Sequence, residues 1–223
     1  MAARGYFTPA TFGFLRELAR NNERAWFEEN KPRYERDVKG PLLDFISDLQ
    51  PGLRKITRHI VADPRPVGGS MFRIYRDTRF AKDKSPYKTH ASAAFRGAVK
   101  TEGSQPCFYV HLGDGEVFAA AGLWHPDPKS LQKVREAIVA SPKEWKRATA
   151  GIEVDGDALS RPPRGFPPDH PLIDDIKRKD FTSHRQFTEK QACSPRFMDS
   201  VLAVYAESAP LVRFLCKSVG LPF

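Results

Sequence analysis

Apolar positions in the first quarter of the chain recur at intervals of three and four. Phe12, Leu15, Leu18 and Ala19 form a stripe behind Thr8-Pro9, an N-cap followed by proline at the first helical position, so a helix is expected to run to Asn21-Asn22. A second helix begins near Glu23, with Trp26, Phe27, Tyr34 and Val38 on one side and Glu28, Glu29, Arg33 and Arg36 left for water. Gly40-Pro41 is expected to interrupt it. A third helix then carries Leu42, Phe45, Ile46, Leu49, Leu53 and Ile56 at the same spacing. Residues 8–58 therefore read as helical.

From about Val67 the period shortens to two. Phe72 and Ile74 alternate with Arg73 and Tyr75, which predicts a strand, and Ala91 to Arg96 predicts another. CFYVHL, then Gly113-Asp114-Gly115, then EVFAAAG spells a β-hairpin on a short glycine turn. Within it Cys107, Tyr109 and His111 share one face, and Phe108, Val110 and Leu112 share the other. One face is expected to line a site and the other to meet a helix layer.

The remainder, residues 127–218, reads as helices. Asp127-Pro128 starts one with Leu131, Val134 and Ile138 inward, and Ser141-Pro142 starts another carrying Trp145. A short helix is expected around Leu172 to Lys179. Ser194-Pro195 launches a long one with Phe197, Val201, Leu202, Tyr205, Leu211 and Leu215 inward, and Pro210 is a site for a kink. Between these helices, Arg161 to Pro171 holds five prolines and a glycine in eleven residues, a stiff connection rather than regular structure. It is expected to lie beside the basic segment described below, with His170 facing it. The pattern as a whole predicts one α+β domain over residues 1–223, in which a mainly antiparallel sheet with the basic loop (67–122) is flanked by N-terminal and C-terminal helices.

Charge changes the picture at one place. The chain of 223 residues carries a formal charge of +9, and residues 51–100, with 12 basic and 3 acidic side chains, account for all of it. The excess is densest in MFRIYRDTRFAKDKSPYKTH, where Arg73, Arg76, Arg79, Lys82, Lys84 and Lys88 face only Asp77 and Asp83. Arginine forks match phosphate and carboxylate oxygens, and two aspartates leave most of the repulsion for a bound anion to relieve. No apolar run of eighteen residues predicts a membrane span, and the N-terminus lacks the apolar stretch of a secretory signal, so no membrane partner is expected and the expected compartment is the cytoplasm. Cys107, Cys193 and Cys216 are too few and too far apart for a zinc knuckle or redox pair and read as reduced, mostly buried thiols.

RIYRDTRFAKDKSPYK, together with NNERAWFEENKPRY near the start and GFPPDHP late in the chain, resembles the family catalogued as domain of unknown function 2461, found in bacteria and fungi. The resemblance implies one α+β domain. It brings no assigned activity and no catalytic residue with it.

The candidate site therefore rests on the residues themselves: Arg73, Tyr75, Arg76, Asp77, Arg79, Lys84, Tyr87 and Lys88 of the basic segment with Tyr109 and His111 of the hairpin. The expected ligand is a small phosphorylated or carboxylated molecule. Nucleic acid stacked on Tyr75, Tyr87 and Trp124 is the alternative partner. A third arrangement buries Arg76, Asp77 and Arg79 as an internal ion network and leaves the lysines solvated, making the chain a structural or interaction module. His90, His111, His125 and His170 lack ligand spacing, so no metal is expected, and no cofactor is called for. Trp26 and Trp145 read as core. Phosphate-loop, dinucleotide, nucleophile-elbow and deaminase signatures do not occur.

Overall fold

The computed structural model describes residues 4–98 and 101–223 and has the α+β architecture expected. The chain begins with α1 (Pro9–Arg20), whose Phe12, Phe14, Leu15 and Leu18 are buried. Next come α2 (Arg24–Tyr34) and α3 (Gly40–Ile56), with a π-turn over Glu35–Lys39 between them. The break expected at Gly40-Pro41 does not occur. Pro41 has no N–H to give the Asp37 carbonyl four residues back, but that carbonyl accepts the Thr11 hydroxyl at 2.7 Å. Gly40 N–H donates to Glu35 O, so one wide turn carries the helix past its proline.

The sheet is an antiparallel meander, β1 (Ile60–Val61), β2 (His90–Gly97), β3 (Cys107–Gly113), β4 (Glu116–Leu123) and β5 (Phe181–Phe187), ordered as in the sequence. Gly115 supplies the positive φ, 67°, of the hairpin turn between β3 and β4. Between β4 and β5 lie α4 (Pro128–Ala140), α5 (Pro142–Ala148) and α6 (Ile173–Ile176); α7 (Glu189–Ala192) and α8 (Phe197–Val219) close the chain. Asp127 caps α4 by accepting the Lys129 and Ser130 N–H groups. Pro210 sits inside α8 without ending it.

Two expectations about the sheet need correction. The Phe72 to Tyr75 segment is not a strand: it touches β2 through an isolated bridge, Met71 to Ala93, then bridges its own return at Tyr75 and Tyr87. Its backbone groups alternate between partners, Phe72 N–H giving to Ser92 O and Arg76 N–H to Pro86 O, both at 2.9 Å, so no ladder with one neighbour can extend. Conversely, β5 lies in a stretch read as helical. FTSHRQF shows no clean alternation: on its helix-facing side Arg185, opposite Ala119, reaches across to Glu207 on α8 in place of an apolar side chain.

Alternation divides the sheet cleanly. Phe108, Val110 and Leu112 of β3, with Val117, Ala119 and Ala121 of β4, are buried against the helices. Tyr205 of α8 stacks on Phe108 with centroids 4.7 Å apart, and Phe197 packs edge-on to Phe7 and Phe187. A second cluster, around Trp145, Ile138, Phe181 and Leu215, holds α4, α5 and the end of α8 to the same face, at the Leu123 and Phe181 ends of β4 and β5. Trp26 lies partly buried against the main core. Among the described residues, no helix is long and apolar enough to cross a membrane.

Candidate functional site

The other face of the sheet is not covered, and its register explains the hollow there. Cross-strand partners share a face, so Ser92, His111, Phe118 and Gln186 form one row over β2 to β5, and Ala94, Tyr109, Ala120 and His184 form the next. Cys107, Gly122 and Thr182 follow. Alanine at 94 and 120 and glycine at 122 leave a floor without side chains between tall neighbours. The result is a cleft of about 750 Å³, with Phe72 and Trp124 among its walls. Gly122 is obligatory: at φ 135°, a Cβ there would lie 2.0 Å from the Phe181 carbonyl oxygen.

The polar groups of the cleft form a chain. The Ser92 hydroxyl hydrogen-bonds to the Tyr109 oxygen, and Tyr109 in turn lies 3.0 Å from His111 Nδ1. With the phenol donating, the neutral imidazole carries its proton on Nε2, which lies 3.8 Å from the exposed Glu116 carboxylate. Phe118 stacks on His111, interplanar angle 9°, and His90 lies 4.2 Å from it between ring centroids. Burial pushes both imidazoles down to about 4, His90 being lowered further by the nearby His111 and Lys88. Both rings are therefore neutral at pH 7. Burial also raises the Tyr109 phenol and the Cys107 thiol.

Two cations sit at the Phe72 wall: Lys88 Nζ lies 5.1 Å and Arg96 Cζ 5.6 Å from its ring centroid. Neither has a carboxylate partner among the described residues. Burial, then the Arg73 charge, lowers the Lys88 ammonium. On the opposite wall His184 Nδ1 lies 2.7 Å from Asp155 Oδ2.

The expected site residues thus separate. Lys88, Tyr109 and His111 line the cleft; Arg76, Tyr87 and Lys88 line a smaller adjoining recess with Asn22 and His90; Arg73, Tyr75, Asp77, Arg79 and Lys84 border neither. The buried ion network does not form. Arg79 pairs with Asp77 and Arg76 with Asp83 in solvent, and Lys84 donates to the Thr78 carbonyl at 2.9 Å. The Ser85 hydroxyl and then Arg76 hold the Asp83 carboxyl well below its usual range. Tyr87, a candidate base-stacking group, is buried against Phe27, centroids 4.1 Å apart, whereas Trp124 is 71% exposed. The proline-rich connection packs its Phe166 on the Trp145 cluster, and His170 accepts the Leu172 N–H; neither recess beside the basic segment is lined by it.

The geometry also joins two of the sequence motifs. Asn22 donates to the Tyr87 carbonyl and accepts its N–H, both at 3.0 Å, so the NNERAW segment pins the return of the basic loop. The family described as a conserved hypothetical protein, DUF2461, matches residues 10–214. The chain belongs to that family. Its matched span takes in the Asn22–Tyr87 clasp, every strand and both walls of the cleft. No curated protein matches the chain. Among the described residues no group of three or more His, Cys, Asp or Glu side chains is placed to hold a metal ion.

Arg96 and His184 of the cleft, and Asp155 behind His184, are charged or titratable residues that the sequence pattern did not single out. Arg96 falls at the end of an anticipated strand, and alternation alone would have put it on the Ser92 face. His184 was lost with β5. Asp155 lies 29 residues from its partner, and no local pattern marks it.

Proposed function

We propose that the cleft binds a small organic anion: a flat, largely apolar body on the Ala94, Ala120 and Gly122 floor, with a phosphate or carboxylate at Lys88 and Arg96. The carrying observation is the two cations without carboxylate partners on Phe72, beside an apolar hollow. Its volume lies in the range of small-molecule sites, and a few convergent polar groups in a mostly apolar lining are what such sites need for orientation. The outer arginines are not required, since their own aspartates already neutralise Arg76 and Arg79.

Thermal melts with 1-naphthyl phosphate, 1-naphthoate and inorganic phosphate test the reading. A ligand at a hundredfold excess over Kd stabilises by about 2.7 kcal/mol, a rise in Tm of roughly 5–10 °C for a chain of this size. The naphthyl anions should produce it and inorganic phosphate alone much less. Ala120→Leu, which fills the floor, and Lys88→Ala with Arg96→Ala should remove the response. An unresponsive wild type, or variants that respond equally, would reject the site.

A second reading has one observation in its favour. Phe80 is 95% exposed beside Arg79, whose Cζ lies 5.9 Å from the ring centroid, which suits an unstacked base on the outer loop. Binding of oligothymidylate that weakens steeply with salt, and that Phe80→Ala abolishes, would support it; an affinity indifferent to salt would not.

A further inference from the structure

We infer that the cleft is catalytic, with His184 Nε2 as a general base held in register by Asp155; this rests on the reading that the cleft binds a flat anion, and names that ligand as a substrate from which a proton is taken.

The placement of Asp155 is built, not incidental. Its backbone pairs with Thr182 of β5 in both directions, N–H to O at 2.6 Å and O from N–H at 3.3 Å, so the segment docks on the outer edge of the sheet as a one-residue bridge. Thr182 and His184 are two residues apart on one face, which brings the Asp155 carboxylate to the His184 ring. An ionised carboxylate only accepts, so Nδ1 must carry the proton and Nε2 keeps its lone pair. The ring stands edge-on to Phe118, interplanar angle 73°, and lines the cleft.

The other imidazoles of the cleft do not offer this. His111 has Nδ1 engaged by Tyr109 and Nε2 turned to Glu116, and its tilted neighbour His90 is a poor base because burial disfavours its charged form. His184 shares its row with Ala120 and Tyr109. The alanine leaves space for substrate between the base and the phenol, which are two strand spacings, about 10 Å, apart. From Arg96 at the end of β2 to His184 on β5 is three spacings across the sheet, about 14 Å between backbones, so the substrate is an elongated flat molecule with its anionic group at one end and its acidic proton at the other. A nitrogen lone pair fixed by a carboxylate at the solvent-open edge of the cleft is suited to such a transfer.

The probe is 5-nitrobenzisoxazole, whose elimination needs a base and no co-reactant. Nε2 takes the C3 proton, the C–H electrons complete the nitrile, the N–O bond breaks to give the phenolate, and the imidazolium returns its proton to water. With the full chain, release of the phenolate should be about 100-fold or more faster than with imidazole at equal concentration, within the range of positioned general bases. Naphthoate should inhibit competitively. His184→Ala and His184→Gln should both lose the rate while keeping the naphthoate-induced rise in melting temperature, the glutamine variant retaining a donor towards Asp155 if alanine loosens the fold. Asp155→Asn tests positioning: it should lower kcat about tenfold with KM unchanged, because an amide no longer holds the ring with Nδ1 protonated and Nε2 free. A purely structural tie between Asp155 and β5 would lower melting temperature without that fall in kcat. The assignment is overturned if the wild type is no faster than imidazole, or if either His184 variant keeps the rate. If naphthoate neither stabilises nor inhibits while the elimination persists, the anion reading falls and the base remains.

Discussion

The neutral histidine pair on the cleft floor makes a measurable prediction about acid stability. His90 and His111 ionise near 6.5 when unfolded and at about 4 in the folded chain. Between those values the unfolded state binds more protons, so stability rises with pH in that window and is lost as pH falls from about 6.5 towards 4. At about pH 5 the full difference would be about 2 kcal/mol per ring; residual hydration of both rings reduces this to about 1 kcal/mol each, about 2 kcal/mol for the pair. The carboxylates held below their usual range, among them Glu17, Asp37 and Asp63, give up their contribution only at lower pH and do not mask it. Urea unfolding of the wild type at about pH 7 and pH 5 should therefore show a loss of about 2 kcal/mol, or 4–8 °C in a thermal melt. His90→Asn and His111→Gln should each remove about half of the loss and the double variant nearly all of it. A double variant with the wild-type pH slope would refute the account, and would mean that these rings are as hydrated in the folded chain as in the unfolded one.

Three further outcomes follow from local geometry. Arg76→Ala removes an ion pair that lies in solvent, so its melting transition should stay within about 0.5 kcal/mol of wild type; a loss near 3 kcal/mol would restore the buried network. Gly122→Ala drives a methyl into the Phe181 carbonyl at a backbone angle hostile to side chains and should cost about 3 kcal/mol or more in urea unfolding, with loss of ligand response as β4 and β5 separate. Tyr205→Phe removes a buried hydroxyl that has no hydrogen-bond partner among the described residues; its midpoint should stay unchanged or rise by about 1 kcal/mol, and a clear drop would show that the hydroxyl is satisfied in solution.

How much of this was legible in the sequence depends on the range of the interaction that decides each element. The helices announced themselves because their caps and stripes lie within a turn or two of one another, as in Thr8-Pro9 and Asp127-Pro128. The β3–β4 hairpin did so because one glycine turn and strict alternation fix its register, and the division of Cys107, Tyr109 and His111 from Phe108, Val110 and Leu112 follows from period two alone. The fusion of α2 with α3 was not legible, since it depends on a Thr11 hydroxyl 26 residues away taking the carbonyl that Pro41 leaves unpaired. The Phe72 segment alternates like a strand, but partner geometry rather than its own pattern splits its hydrogen bonds between β2 and its own return.

The same distinction explains why the site was half found. Charge density pointed to the Arg73–Lys88 segment, and density is a property of composition, blind to whether an aspartate two residues back has already neutralised an arginine, as Asp77 does for Arg79. Lys88 and Arg96 look weaker in the sequence because each is a lone cation near a strand end. In the fold they face the same ring with no carboxylate between them. What makes the cleft is equally quiet: alanines at 94 and 120 and a glycine at 122, small residues whose significance appears only when the register sets them side by side. A hollow is written as an absence of side chains, and the sequence shows the alanines without showing that they are neighbours. The alignment of strands, fixed by turns and core alternation elsewhere, turns them into a floor, and turns His184 and Tyr109 into the groups that face each other across it.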